Sequence, residues 1–453
     1  MNDSAQNQHS TEKRLDSLRD ALKKGKDQHI WAMLSELHPA EIAHIIESMP
    51  SAERQLVWGM VDLEDEGEIL LQVNDEVRAG LIKGMGNDEL IAATEGMDMD
   101  DLADLLNDLP DRVIKEVLHS MDKQDRQRLE SVLLYPEDSA GGMMNTDTTT
   151  VRADVTLDVV LRYLRLRGHL PDLTDNLIVV DRFDIFRGTL PLSKLITSDP
   201  GLTVAEVMDT DIEPINADTP AHEVAHLFEK RDLISAPVIS ENNQVLGRIT
   251  IDDVVDVIRD EADHSIMSMA GLDEEDDMFA PVFSSIRSRA VWLGINLVTA
   301  FLAAWVIGLF EGTIEKVVAL AVLMPIAASM GGVAGTQTLT LVIRGMALGH
   351  IGKSNASWLL YKEAAVGSLN GILWAIVVAS IAYLWFHDIM IGVFIAAAML
   401  INLIFAALAG FSIPFVLRKM GIDPALAGNV ILTTVTDVIG YIAFLGLASL
   451  YFT

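Results

Sequence analysis

Pro424 to Phe452 reads PALAGNVILTTVTDVIGYIAFLGLASLYF. The stretch is apolar and long enough to cross a bilayer as a helix, which takes about 20 residues. Its one ionisable side chain is Asp437, near the middle. An unpaired carboxylate at that depth costs at least about 2.5 kcal/mol on insertion scales. Asn429, Thr433, Thr436, Asp437 and Gly440 follow at steps of three and four, so they share one helical face. The opposite face is Val, Ile, Leu and Phe. Two readings stand: a path for a cation, or a protonated Asp hydrogen-bonded to a neighbouring helix.

Outward from this stretch, four more apolar runs precede it, at 287–310, 317–343, 362–386 and 389–417, with the last taken as 424–452. With the N-terminal part placed in the cytoplasm, the inside flanks carry Arg287, Arg289, Arg344, Lys353, Lys362, Arg418 and Lys419, and the outside only Lys316. That asymmetry predicts a multi-pass protein of the cell (inner) membrane with its N terminus inside and its C terminus outside. The second run contains Pro325 and then MGGVAGTQTLT, Met330 to Thr340. Pro325 removes a helix donor, and Gly331, Gly332 and Gly335 let backbones approach closely. Gly331-x-x-x-Gly335 is also a plain helix-packing motif. On the functional reading, Thr336, Gln337 and Thr338 supply polar groups where the backbone opens. Asn370 and Asn402 are further intramembrane polar groups that bridge helices or line the same path.

The rest of the chain is of the opposite character. Of 65 acids and 33 bases, residues 281–453 hold six and eight, which leaves 59 acids and 25 bases upstream and a formal charge of −34 there. Such a surface repels nucleic acid and attracts cations. The first thirty residues are polar, so no signal peptide is expected, and residues 1–12 read as a disordered tail. There is no cysteine, which rules out disulfides and thiolate metal sites.

Asp252 to Ala270 reads as a helix. Asp253, Asp256, Asp260 and Asp263 step along it as one acidic stripe. Like charges at these spacings destabilise a helix by about 0.2–0.5 kcal/mol per pair. The stripe is a solvated face or a place where a divalent cation accepts carboxylate oxygens. Asp273 to Asp277 reads as a flexible acidic linker.

Upstream lie two copies of a β-α-β-β-α pattern, marked by Asp154 and Asp218, by the strands NLIVVD (Asn176 to Asp181) and SAPVIS (Ser235 to Ser240), and by Gly188 and Gly247. GRITIDD, Gly247 to Asp253, is similar to the tail of a CBS domain, and the pair resembles a CBS tandem. In that family the Thr and Asp of this tail hold a nucleotide's ribose and phosphates, which points to Thr250 and Asp253 and to ATP as a possible ligand. The first copy has Pro191 and Lys194 there instead. His222-Glu223-Val224-Ala225-His226 matches the zinc-hydrolase pattern H-E-x-x-H. Without a third ligand, and on a helix that needs Val224, Ala225, Leu227 and Phe228 for packing, it reads as structural. The chain is therefore expected not to be an enzyme.

From Leu15 to Tyr135 the pattern is helical, with an echo at an offset of sixty: LHPAEIAHIIESMP (Leu37 to Pro50) lies over MDMDDLADLLNDLP (Met97 to Pro110). Stacked short helices follow. The run Asp98, Asp100, Asp101, Asp104, Asp108 reads first as a solvated face. The expected architecture is a multidomain membrane protein: an all-α superhelical repeat domain (13–136), two CBS-like α+β units (137–200 and 201–258), an acidic connecting helix and linker (252–278) and a five-helix transmembrane domain (279–453).

This order of parts resembles the MgtE family of magnesium channels. YPEDSAGGMM (Tyr135 to Met144) is like its junction between the first two domains, and PIAASMGGVAGTQTLTLVIRG (Pro325 to Gly345) and DPALAGNVILTTVTDVIG (Asp423 to Gly440) look like its pore motifs. The resemblance implies a homodimer in the lipid bilayer, with one pore on the two-fold axis and Asp437 of each subunit facing the ion. The pore set is Asn429, Thr433, Thr436, Asp437, Gly331, Gly332, Gly335, Thr336 and Gln337. The connecting helix is implied to be a plug, with regulatory Mg²⁺ held among Asp101, Asp104, Asp253, Asp256, Asp260, Glu261 and Asp263. Two departures are Val333, where the family commonly has Asn, and His264, where an acid is common. Mg²⁺ takes oxygen ligands and sheds water reluctantly, which suits carboxylates, hydroxyls and carbonyls. No G-x-x-x-x-G-K-[ST] occurs, so passive uptake down the membrane potential is expected. A cobalt or manganese transporter is the alternative, and a membrane zinc hydrolase a remote one.

Overall fold

The computed structural model describes residues 14–94, 97, 99–121, 123–272, 276–352 and 354–452. It divides into two compact units, Met1–Ala262 with Glu275–Pro281, and Asp263–Glu274 with Val282–Thr453.

The first unit begins with short helices running from Asp27–Leu34 to Lys123–Val132. Pro39–Glu47 illustrates why they form. His38 caps it, its Nδ1 accepting from Ala40 N at 3.3 Å while Glu41 accepts from His38 N at 3.3 Å, and Pro39 occupies the first helical position. Ile42, Ala43, Ile45 and Ile46 are buried on one face. Sixty residues on, Met99–Asp108 buries Leu102, Ala103, Leu105 and Leu106. The echo is therefore an echo of core positions, each large side chain worth roughly 1.5–3 kcal/mol.

Next come two three-stranded sheets. In the first, β1 (Thr150–Arg152) runs parallel to β2 (Asn176–Val180), which pairs antiparallel with β3 (Phe186–Pro191). The second repeats this with β4 (Ile215–Asn216), β5 (Ser235–Ile239) and β6 (Val245–Thr250). Helices Leu157–Arg167 and Ala221–Arg231 make the crossovers. The sheet order is that of a CBS pair.

The segment 139–145 pairs outside the first sheet. It lies just before the first sheet in sequence but bonds to the second. Ala140 N donates to Thr219 O at 2.7 Å and Gly141 N to Ala217 O at 2.8 Å, and Asn145 pairs antiparallel with Arg248. Gly247 permits this, because a Cβ there would stand 2.7 Å from Asn145 O. One apolar core consequently runs from the N-terminal helices through Ala140 and Met144 to Ile215, Val224 and Phe228, while the first sheet has a core of its own around Leu157, Leu177 and Leu190.

The acidic linker also differs from expectation. Residues 273–275 lie outside the described residues, but Asp277 is not free. It is 8% exposed and pairs with Arg54, itself 5% exposed, through contacts of 2.8 and 3.1 Å. Its backbone N donates to Glu76 at 2.8 Å. A buried carboxylate persists only where such partners replace water.

The helix α1 (Ile251–Met269) runs from the first unit into the second, where five long helices follow: α2 (Val282–Gly308), α3 (Ala319–Ala347), α4 (Ala356–Phe386), α5 (Ile389–Lys419) and α6 (Pro424–Phe452). At 27–31 residues and with apolar composition, each is a candidate membrane span. The cluster Leu320, Leu323, Ile395, Ala398, Phe444 and Leu445 joins α3, α5 and α6. α2 instead presents Phe301, Trp305 and Leu297 outward, as a lipid-facing or partner-facing helix does. α3 continues unbroken through Pro325, so the expected opening of its backbone is not found. One missing donor near a helix start leaves the other bonds of the ladder in place.

Candidate functional site

In the second unit the polar residues of α3 and α6 meet. Thr336 Oγ1 donates to Asn429 Oδ1 at 3.2 Å and joins the two helices. Thr433 Oγ1 donates to Asn429 O at 2.8 Å, and Thr436 Oγ1 to Thr433 O at 3.0 Å. Asp437 is half-buried, and no described side chain or backbone group donates to it. Its carboxylate is thus not spent on a bridge to another described helix of the same chain.

The stripe is not uniform. Thr433 and Gln337 are exposed, Asn429, Gly332 and Thr336 are half-buried, and Thr436 and Gly440 are fully turned inward. A methyl at Gly331 would overlap the Asn402 amide, one at Gly440 would stand 2.8 Å from Asn402 Nδ2, and one at Gly335 2.9 Å from Leu432. Gly331, Gly335 and Gly440 are therefore packing glycines. The face that remains open carries Gly332, Thr336, Gln337, Asn429, Thr433 and Asp437. Val333 is 56% exposed. The inward turn follows from helical geometry, since steps of three and four drift around a helix of 3.6 residues per turn.

The acids of the first unit also gather. Asp253 lies near enough to Asp101 to feel its charge, and Asp104 near enough to Glu137, Asp101 and Asp75. Loss of water pushes the Asp253 carboxyl up to about 7, helped by Asp252 and opposed by hydrogen bonds from Thr250. Asp104, though exposed, is likewise pushed to about 7, by the surrounding protein first and then by Glu137 and Asp101. Burial raises Asp256 as well. Arg259 interrupts the acidic stripe, pairing with Asp256 at 3.2 Å and Asp260 at 3.3 Å, so the expected self-repulsion along α1 is smaller than its acids alone imply. Asp260, Glu261 and Asp263 are exposed. Asp98 lies outside the described residues. No described group of three or more His, Asp or Glu side chains is placed to hold a metal ion within one chain. In the second unit, His264 Nε2 stands 3.2 Å from Asp423 Oδ2, and Asp423 caps α6 by accepting from Ala425 N at 3.0 Å.

Between the two sheets lies a cavity of about 200 Å³ lined by Asp175, Asn176, Thr189, Asp232, Ser235 and Arg248. Arg248 Nε and Thr189 Oγ1 are buried without a hydrogen-bond partner, although Arg248 also donates to Thr174 and to Asp172 O. Thr250 and Asp253 do not line this cavity; Thr250 N and Oγ1 donate to Asp253 Oδ2 at 3.3 and 3.2 Å. His222 is exposed, and His226 stands 3.7 Å from Glu229 on its own helix.

Sequence reasoning passed over Arg248, the Arg54–Asp277 pair and Glu363. Glu363 adjoins Lys362 at the start of a span and so reads as an interfacial flank. A strand residue such as Arg248 gives no sign of the cavity that a second sheet closes over it.

These features define a class: a five-span membrane protein whose spans share one half-buried, uncapped carboxylate, joined to a helical domain and a CBS pair. The family models match accordingly, a divalent cation transporter over residues 324–447, the MgtE intracellular N domain over 37–138 and a CBS domain over 204–260. The magnesium transporter MgtE of Thermus thermophilus is 30% identical over 96% of this chain and 97% of its own length. That of Bacillus subtilis is 27% identical over 95% of each. A crystal structure of the cytosolic domain of the Mg²⁺ channel MgtE in complex with ATP aligns with a TM-score of 0.48 at 30% identity, covering 54% of this chain and 99% of that one. The chain belongs to the MgtE family.

Proposed function

We propose that the chain is a homodimeric Mg²⁺ channel that admits the ion passively and closes when cytosolic Mg²⁺ rises. What carries this reading is the match along nearly the whole chain to a relative named as a magnesium transporter. The site chemistry agrees. One half-buried carboxylate on the open polar face, flanked by Asn429, Thr433 and Thr336, suits outer-sphere contact with a largely hydrated hard cation. Asp437 attracts the ion, and the acids around Asp101, Asp104 and Asp253, with Asp256, Asp260, Glu261 and Asp263, bind regulatory Mg²⁺. Among the described residues no three-group set is complete within one chain, so ligands from a second chain or bound water complete each site. The N terminus and CBS pair are cytoplasmic and the C terminus is outside. The cavity beside Arg248 has two unpartnered buried polar atoms, which fit a phosphate or ribose oxygen of ATP. Cobalt or manganese transport has no observation of its own.

Asp437→Ala in proteoliposomes loaded with a Mg²⁺ indicator tests the reading. Uptake should vanish while the protein stays folded and dimeric; near-normal uptake sinks the assignment of Asp437.

A further inference from the structure

Two buried polar side chains, on helices that do not carry the polar stripe, grip α3 on either side of Gly331–Gln337. Glu363 of α4 is 4% exposed, and its Oε2 accepts from Thr338 Oγ1 at 3.1 Å. Its Oε1 pairs with Lys362 Nζ at 2.6 Å. Thr338, 5% exposed, follows Gln337 directly. On the other side Asn402 of α5 is fully buried, and its Nδ2 donates to Ala327 O at 2.8 Å, one turn before Gly331. The same amide fills the gap left by Gly331 and Gly440, while its Oδ1 has no partner.

Apolar side chains would fill these places without the penalty of burying polar groups among apolar helices. A buried acid at the start of a span, held against a motif helix, points to a task beyond packing. Pro325 gives that task a physical basis, because a helix lacking one backbone donor bends there unless restrained. Asn402 restrains α3 two residues beyond Pro325, and Glu363 restrains it one residue beyond Gln337.

We propose that Glu363 and Asn402 are positioning residues that fix α3 on both sides of Gly331–Gln337 and thereby set which divalent cation passes. This rests on the transport reading above. Glu363 acts through the hydroxyl of Thr338, and Asn402 through the carbonyl of Ala327 and the close approach of Gly440.

The test compares full-length chains in proteoliposomes by Mg²⁺ and Ca²⁺ flux, with dimer content and melting recorded for each. Glu363→Leu and Thr338→Val should each lower the Mg²⁺-to-Ca²⁺ flux ratio by about fivefold or more, as loss of a buried hydrogen bond predicts. The double variant should be no worse than the stronger single one, because both remove one contact. Asn402→Ala should shift the ratio in the same direction. Glu363→Gln, whose amide oxygen still accepts from Thr338, should recover most of the ratio. Thr338→Val, nearly isosteric, keeps the test decisive if Glu363→Leu fails to assemble. Assembled variants that melt lower yet keep the wild-type ratio overturn the proposal, as does Glu363→Gln behaving like Glu363→Leu. A wild-type chain that carries no Mg²⁺ overturns the transport reading instead.

Discussion

Glu66, on the helix Glu66–Gln72, is 3% exposed, and its Oε2 has no hydrogen-bond partner. Burial, with Glu89 beside it, pushes its carboxyl from 4.5 up to about 7. The folded chain therefore holds a proton that the unfolded chain releases. The associated stability is complete below the unfolded value and is lost as pH climbs to about 7. Glu66→Gln should flatten the pH dependence of amide exchange at Ile69 and Leu70 between pH 5 and 8. At pH 8 it should stabilise the folded state by on the order of 3 kcal/mol. An unchanged pH slope rules the explanation out. At this scale the sequence was legible where a residue broke a pattern: Asp437 stands out in an apolar run. Glu363 did not, because whether a carboxylate at a span end is buried depends on which helices pack there. Thr436 shared a drawn face with Asp437, yet it is fully buried while Asp437 is half-exposed.

At the scale of elements, periodicity carried most of the reading. Alternating strands and glycines foretold the paired sheets, and apolar runs foretold five spanning helices, because both signals are local. Long-range pairings were not legible. Nothing in YPEDSAGGMM says that its end pairs with Arg248, and an acidic linker gives no hint that Asp277 meets Arg54. That pair makes its own prediction. Arg54→Met strands a buried carboxylate, which costs about 3–5 kcal/mol. Hydrogen exchange over 276–280 should accelerate sharply, and Arg54→Met combined with Asp277→Leu should recover much of the protection. Unchanged exchange in the single variant would show that the pair holds nothing in place.

For the molecule as a whole, charge is the dominant fact: 59 acids against 25 bases before residue 281. Screening at physiological salt acts over about 8 Å, so clustered acids still repel, and divalent cations relieve the repulsion best where carboxylates converge. Protease protection of the cytosolic part should therefore rise with Mg²⁺. Replacing Asp253, Asp256, Asp260 and Asp263 together with Asn should blunt that rise, although Arg259 already offsets part of the charge. A mutant that responds like wild type shows that these four acids do not carry the response. The stitching of 139–145 onto the second sheet has a further consequence, in the order of synthesis. Asn145 leaves the ribosome roughly a hundred residues ahead of Arg248, a wait of about 5–20 s at cellular elongation rates. The first sheet, with its separate core, can fold in that interval. The N-terminal helices share their core with Ile215, Val224 and Phe228, and that shared part waits until those residues have been made. A chain stalled near residue 210 would thus present a finished middle beside an open junction, with Ala140 and Met144 uncovered and open to chaperones.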